Sequence, residues 1–237
     1  MPTRLRLFPL NAVLFPGAVL NLHVFEPRYK QMIGECIDRG EGFGVVLINE
    51  GQEADDLSVE PYQIGSIAEI VEVTPLPFGR FYVSTIGRQR FRIHSVISRE
   101  PFLTVEAELL EEDVPDDDTL ESLSQQVRVL FAEYLGLIVE FSGQQTEIYL
   151  PADPESTSFA VGDALQVADT MKQRLLEIES TQQRLTVELG FLRRLLPQLR
   201  KMLERRKVEM QVRSEPGGED AHRSTHQKFF GKYFSLN

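Results

Sequence analysis

Short apolar runs, separated by Gly and Pro, follow one another from residue 1 to about residue 110. This pattern is typical of a compact β structure. The predicted strands are residues 5–10, 13–15, 18–22, 43–48, 64–73, 81–86, 91–97 and 102–109. Gly87 and Arg88 have the order that a two-residue hairpin turn prefers, so neighbouring strands are expected to be antiparallel. Such a series favours a small closed or nearly closed barrel, because closure removes exposed strand edges.

One amphipathic helix is predicted among these strands. Pro27 suits a first helical position, and Glu26 before it places a negative charge at the positive end of the helix dipole. Apolar residues then recur at helical spacing and predict a buried stripe of Tyr29, Met32, Ile33, Cys36 and Ile37. Gly40 is expected to end this helix. Cys36 is therefore interpreted as a core residue rather than a nucleophile, since nothing at its position would lower the pKa of the thiol.

A change of composition marks the end of the strand-rich region. The acidic run EEDVPDDD at residues 111–118 lacks apolar periodicity and is predicted to be a linker. Asp118 and Glu121 have capping-box spacing, which predicts the start of a helix. The apolar face of this helix consists of Leu120, Leu123, Val127, Leu130, Phe131, Tyr134 and Ile138.

Further helices are predicted after a polar, turn-rich stretch at residues 143–158. The helical pattern resumes at Ala164, and Ser180 with Gln183 predicts a new helix start. A seam with alternating steps of four and three follows, made of Leu185, Leu189, Leu192, Leu196, Leu199 and Leu203. It needs a partner helix, which we expect in the same chain, with a second copy as the alternative. Pro197 is expected to kink this last helix or to divide it in two.

Charge is distributed unevenly along the chain. The formal net charge is −11, but residues 200–237 carry +4, which leaves −15 for the rest. An acidic body repels polyanions, so nucleic acid is disfavoured as a partner. Residues 213–237 are predicted to be a flexible tail, and its segment KFFGKYF at residues 228–234 is expected to dock on its own chain or on a partner.

Motifs of the common catalytic classes do not occur in the sequence. It has no GxxxxGK(S/T), HExxH, CxxC or GxSxG pattern, so no cofactor, no metal site and no enzyme activity are predicted. A hydrolase whose catalytic pair is dispersed in the sequence is the alternative.

The single Cys36 forms no internal disulfide, and no apolar run reaches the ~18 residues of a membrane span. We therefore expect a cytoplasmic protein.

Two segments closely resemble hallmarks of the LON domain, the N-terminal substrate-recognition domain of Lon proteases. LFPLNAVLFPGAVLNLHVFEPRYKQM at residues 7–32 resembles the opening of that domain, and IGSIAEIVEVTPLPFGRFYVSTIGRQRFRI at residues 64–93 is similar to its second hallmark. The resemblance extends to about residue 205. It implies an α+β fold, a PUA-like small antiparallel β-barrel with one inserted helix followed by an α-helical bundle.

The expected organisation is a barrel at residues 1–112, a helical bundle at residues 118–212 and the tail. The resemblance implies a freestanding LON-domain protein without the ATPase module and the Ser-Lys protease domain of Lon. The function it implies is that of a non-catalytic protein- or peptide-binding module, an adaptor in protein quality control, that recognises exposed apolar segments through the cleft between barrel and bundle. Homo-oligomers through the C-terminal helix or tail are left open.

Eight residues in the two hallmark segments are candidates for binding. They are Phe15, Pro16, Phe25, Arg28, Tyr29, Arg88, Arg90 and Phe91. Each also has a structural interpretation: Phe15 and Pro16 can form a turn, Phe25 and Tyr29 can fill the core, and Arg28 can pair with Glu26. Arginines alternating around Phe91 are compatible with RNA binding by a PUA-like protein, although pairing with neighbouring acidic residues is expected instead.

Overall fold

The computed structural model describes residues 2–50, 59–114, 118–143 and 150–214, with side chains through residue 209. Its described part contains seven strands and five α-helices. The strands are β1 (Thr3–Leu10), β2 (Val19–Val24), β3 (Phe43–Glu50), β4 (Glu60–Pro61), β5 (Ile64–Leu76), β6 (Arg80–Ser98) and β7 (Thr104–Leu109). The helices are α1 (Pro27–Arg39), α2 (Asp118–Ser142), α3 (Pro154–Ala164), α4 (Asp169–Glu177) and α5 (Thr181–Ser214). The aromatic segment at residues 228–234 lies outside the described residues.

A closed barrel forms from five of the strands. Neighbours follow the order β1, β7, β6, β5 and β3, and β1 pairs with β3 to close the ring. β2 adds to β6, and β4 adds to β3. The β1–β3 pair is parallel and all other pairs are antiparallel. The predicted small barrel is thus confirmed. The parallel β1–β3 pair was not predicted; it is possible because β2 and α1 lie between β1 and β3 in the chain and supply the long crossover that a parallel pair needs.

The hairpin turn predicted at Gly87 and Arg88 is wrong, because β6 runs without a break through these residues. The turn lies instead at Pro77–Gly79, where Phe78 and Gly79 both have φ of 65°. Gly87 marks a close approach of two backbones: a Cβ at this position would lie 2.1 Å from the carbonyl oxygen of Phe15.

The strand predicted at residues 13–15 is also wrong. These residues form an irregular connection that leads into a turn, in which the Ala18 N–H donates to the Phe15 carbonyl at 3.1 Å. Pro16 and Gly17 occupy the centre of the turn, and Gly17 has φ of 82°, the left-handed conformation that glycine adopts without strain.

The first helix forms as the sequence predicts. α1 begins at Pro27, and Gly40 in the left-handed conformation caps its end by donating to the carbonyls of Cys36 and Ile37. Tyr29, Met32, Ile33 and Cys36 are buried in the barrel interior. Ile37 is largely exposed, so the predicted stripe is one residue too wide.

The leucine seam of α5 is buried inside the same chain. α2 and α5 lie side by side and run in the same direction, since Arg200 pairs with Glu133 and Lys207 pairs with Glu140. Leu185, Leu189, Leu192 and Leu196 of the seam share one core cluster with α2 residues such as Phe131, and Leu199 packs against it. The expected internal bundle is therefore confirmed. α5 continues through Pro197 as one helix, so the division in two does not occur.

Helix α3 was not predicted, because its Ser- and Thr-rich sequence has little apolar periodicity. Asp153 caps its start by accepting the Ser156 N–H at 2.8 Å, and Pro154 occupies the first turn. The chain leaves the helical conformation between Leu165 and Ala168, so the pattern predicted to resume at Ala164 begins as a helix only with α4.

Candidate functional site

The structure separates the eight candidate residues by burial. Phe15, Tyr29, Arg90 and Phe91 are buried; Pro16 and Arg28 are half-buried; Phe25 and Arg88 are exposed. Arg28 donates to Glu26 at 2.9 Å and lies over the Tyr29 ring. In this conformation only Phe25 and Arg88 present a largely exposed side chain to a partner.

Phe15 joins the barrel to the bundle. Its ring packs against Phe159 of α3 at a centroid distance of 6.4 Å, and it belongs to the core cluster of the helices. A Cβ on Gly162 would lie 2.7 Å from the ring, so α3 approaches Phe15 as closely as a glycine permits. The region expected to form a cleft between barrel and bundle is packed at this residue.

A buried ion cluster lies beside Phe15. Glu112 accepts hydrogen bonds from Arg90 of β6 at 2.6 Å and from Arg184 of α5 at 3.0 Å. Both guanidinium side chains are fully buried, and the carboxylate nearly so. Burial lowers the pKa of Arg90, while the charge of Glu112 opposes that effect. Glu112 was predicted to belong to a linker, but it holds the two halves of the protein together.

A second buried carboxyl group extends this cluster into α5. The Ser158 hydroxyl donates to Glu188 at 3.2 Å and accepts from Arg184 at 2.6 Å. Burial raises the pKa of Glu188 well above its usual value, and its Oε2 atom has no hydrogen-bond partner among the described residues. Neither Ser158 nor Glu188 has a solvent-exposed surface through which a substrate could reach these two groups.

The arginines of β6 pair with acidic side chains. Arg88 donates to Glu69, and Arg92 donates to Glu179. With Arg90 held by Glu112, all three arginines of the segment GRQRFRIH have carboxylate partners. The expected pairing is confirmed, and it leaves this strand without the uncompensated positive charge that binds phosphate.

Aromatic rings cluster on the outer face of β2 and β6. The His23 ring lies 5.6 Å from Phe25 and 5.0 Å from Tyr82, centroid to centroid. Phe25 is 56% exposed and Tyr82 is 53% exposed. Phe78, at the tip of the β5–β6 hairpin, is 91% exposed. We name these four residues, His23, Phe25, Phe78 and Tyr82, the aromatic face.

Local sequence explains how the aromatic face arises. Along β2 the residues alternate between the two sides of the strand, so Leu22 and Val24 are buried while His23 and Phe25 point outward. β2 pairs with β6 in a register that sets His23 opposite Tyr82. Phe78 lies in the tight turn between β5 and β6 with a φ of 65°, and its ring is exposed.

Three members of the aromatic face were missed in the sequence. His23 and Tyr82 lie on predicted strands, and period-two alternation of the segment VLNLHVF would have assigned His23 and Phe25 to one face. The register between β2 and β6 depends on the tertiary structure, so the pairing of His23 with Tyr82 had no local signal. Phe78 lies between the predicted strands 64–73 and 81–86, where no periodicity indicates whether a side chain is exposed.

The single cysteine is an interior residue. Cys36 is buried, and burial raises the pKa of its thiol to about 11, which confirms its interpretation as a core residue. No group of three or more potential metal ligands occurs among the described residues. None of the described helices combines the length and the hydropathy that crossing a membrane requires.

Comparison with known proteins identifies one family. The family model described as the ATP-dependent protease La (LON) substrate-binding domain matches residues 4–194. Among curated proteins, the chain is 26% identical over 234 residues to a Lon protease of Flavobacterium johnsoniae, covering 96% of this chain and 28% of that protein. It is 31% identical over 132 residues to a Lon protease of Parabacteroides distasonis, covering 55% of this chain and 16% of that protein. The chain therefore spans less than a third of the length of either relative.

Solved structures show the same fold. A Lon N-terminal domain protein from Xanthomonas campestris is 25% identical, with a TM-score of 0.58 over 79% of this chain and 98% of that one. The N-terminal domain of a Mycobacterium avium complex Lon protease has a TM-score of 0.59 at 18% identity, over 80% of this chain and 98% of that one. The α+β barrel followed by helices is thus shared with Lon N-terminal domains.

Proposed function

Because this chain belongs to the LON substrate-binding domain family, we propose that it is a non-catalytic module that binds polypeptide segments on its aromatic face. The matched region resembles the substrate-binding part of Lon proteases and not their whole length. Within this proposal the chain recognises exposed apolar segments of other proteins in the cytoplasm and acts as an adaptor in protein quality control.

The observation that carries the proposal is the exposure of three adjacent rings, His23, Phe25 and Tyr82, together with the exposed ring of Phe78 at the tip of the β5–β6 hairpin. Large apolar side chains that stay in water cost free energy, so a contiguous group of them marks a surface that a partner covers. The His23 ring contacts both Phe25 and Tyr82, and aromatic residues are those that most often dominate binding energy.

The candidate residues enter the proposal in two roles. Phe25 contacts the ligand directly. Arg88 lies further along β6 than Tyr82, and its exposed pair with Glu69 forms a polar rim. Phe15, Tyr29, Arg90 and Phe91 support the surface from inside by fixing the barrel and its contact with the bundle.

The test uses fluorescein-labelled, unfolded casein as the probe in fluorescence anisotropy. The variant Phe25→Ser with Tyr82→Ser removes two rings and is expected to weaken binding at least tenfold, because each such ring contributes about 1 kcal/mol or more. Val129→Ser is the matched control, since Val129 is a comparably exposed apolar residue on α2. Its affinity is expected to equal that of the wild type.

Circular dichroism melting curves of all three proteins should coincide, because the substituted side chains are exposed. Absence of casein binding by the wild type would overturn the proposal. Equal loss of binding in the Val129→Ser control would also overturn it, since binding would then not be specific to the aromatic face.

A further inference from the structure

Strand β2 has one edge without a partner strand. It pairs with β6 on one side, and no other described element forms a comparable run of contacts with it. An edge of this type presents backbone N–H and C=O groups to solvent in the spacing that another strand requires.

The hydrogen-bond pattern identifies which backbone groups face outward. The Gly87 N–H donates to the Ala18 carbonyl at 2.8 Å, so Ala18 faces β6. In an antiparallel pair the bonded residues alternate, and therefore Leu20, Leu22 and Val24 also direct their backbone groups to β6. The backbone groups of the intervening residues, Val19, Asn21 and His23, then point to the free edge.

These outward groups have no backbone hydrogen-bond partner within the described part of the chain. Their side chains are exposed as well, and Val19 is 67% exposed. The peptide groups of these three residues and the side chains of Val19 and His23 are therefore available together to one ligand, while the Asn21 side-chain oxygen accepts from the Ser84 hydroxyl at 2.8 Å.

The sequence of β2 lacks the devices by which proteins block an edge. VLNLHV contains no charged residue and no proline. The other added strand, β4, shows the contrast: it is two residues long and consists of Glu60 and Pro61, a charge and a residue without an N–H. One edge of the sheet is thus closed to strand addition and the other is open.

We propose that the free edge of β2 binds an extended segment of an unfolded polypeptide as an additional antiparallel or parallel strand. This inference rests on the proposed function and specifies its binding mode. The ligand backbone bonds to Val19, Asn21 and His23, and alternate ligand side chains lie beside Phe25 on the aromatic face. Since the body of the protein carries −15, segments without acidic residues bind best.

Backbone bonding explains how one surface recognises many sequences. Main-chain groups are common to all polypeptides, so they contribute affinity without selecting side chains, whereas rings select for apolar character. Proline-rich or helical segments are poor ligands in this mode, because they cannot present a row of free N–H groups.

The first experiment uses the wild-type protein and three forms of one labelled peptide, Lys-Val-Thr-Val-Phe-Val-Thr-Lys. One form is unmodified, one is N-methylated at residues 3, 5 and 7, and one is N-methylated at residues 2, 4 and 6. Only one set of N–H groups faces β2, so one methylated form is expected to lose at least tenfold in affinity and the other to bind nearly as the unmodified form. Equal affinity of both methylated forms would overturn the proposal.

The second experiment compares Asn21→Pro with Asn21→Ala. Proline removes one outward N–H and leaves the bonds of Leu20 and Leu22 to β6 in place, so the peptide should bind the proline variant at least tenfold more weakly than the alanine variant. Equal binding would overturn the proposal. If Asn21→Pro does not fold, the affinities of the two N-methylated peptides still test the proposal.

The outcomes also separate this inference from the proposed function. If casein binding requires Phe25 and Tyr82 but is unchanged by Asn21→Pro, casein binds to the aromatic face and not to the β2 edge. If the wild type binds no casein, the proposed function itself fails. A wild-type dimer that Asn21→Pro dissociates, with no effect on peptide, would show that a second copy occupies the edge and would overturn the proposal.

Discussion

The barrel–bundle junction and the aromatic face place similar residue types in opposite environments. At the junction, Arg90 and Arg184 are buried and share Glu112, and Phe15 fills the space beside them. On the aromatic face, Phe25, Tyr82 and Phe78 stand in solvent. Hallmark residues of one segment therefore divide between the interior, where they hold the fold, and the surface, where we propose that they bind a partner.

Removal of the junction carboxylate is expected to have the largest effect. Glu112→Ala leaves Arg90 and Arg184 buried without their shared counter-charge, which should lower the free energy of unfolding by about 3–5 kcal/mol. Guanidinium chloride denaturation measures this loss. Glu69→Ala is the control, because Glu69 pairs with Arg88 on the surface and should change stability little. A loss below about 1 kcal/mol for Glu112→Ala would show that water reaches the cluster.

Truncation of Phe15 should have the second-largest effect on the free energy of unfolding. Phe15→Ala empties the space beside Gly162 and Phe159 and is expected to cost about 3 kcal/mol of unfolding free energy. Because the ring is buried, casein affinity should stay unchanged at temperatures where the variant is folded. Loss of affinity in a folded variant would instead assign Phe15 to ligand binding.

The buried carboxyl of Glu188 should produce a smaller effect that depends on pH. Since burial raises its pKa above the usual 4.5, the folded protein retains a proton that the unfolded chain loses, and the free energy of unfolding falls as the pH rises above about 4.5. Glu188→Gln is neutral at every pH and keeps an acceptor for the Ser158 hydroxyl. The charged group that faces this site is Arg184, one turn earlier on α5.

Urea denaturation from pH 4.5 to pH 8 tests this expectation. The stability advantage of Glu188→Gln over the wild type should be smallest at the acidic end and should grow towards pH 8. Parallel stability curves of the two proteins would show that Glu188 is ionised in the folded protein over this whole range.

Substitution on the aromatic face should change stability least. Phe78→Ser removes an exposed ring at a turn and is expected to change the free energy of unfolding by no more than about 0.5 kcal/mol. Casein affinity should nevertheless fall several-fold. A large loss of stability with unchanged casein affinity would mean that Phe78 stabilises the turn and does not bind the ligand. The aromatic face would then not differ from the barrel–bundle junction at this residue.

Local patterns predicted the elements whose partners are close in sequence. Pro27, the apolar stripe and Gly40 defined α1, and the alternating leucines defined α5, because spacing along a helix is fixed by its geometry. The continuous apolar run at residues 43–48 correctly predicted the buried strand β3. The resemblance to the LON domain correctly predicted that a helical bundle follows the barrel.

Predictions failed where a distant segment determines the conformation. Gly87 has the local signature of a hairpin turn, but Phe15 approaches its backbone, and the glycine is needed for that contact within a strand. Glu112 has the composition of a linker, yet Arg90 and Arg184 bury it from 22 and 72 residues away. Neither partner is visible in the local pattern.

Periodicity and motifs of fixed spacing are enough to predict the helical faces, the strand-rich first half and the family. They do not predict which hallmark residues are buried and which are exposed, because burial is set by tertiary contacts. Burial depends on the register between β2 and β6 and on where α3 and α5 meet the barrel. These contacts join residues far apart in the chain, and they give Phe15 and Phe25, both aromatic and ten positions apart, opposite roles.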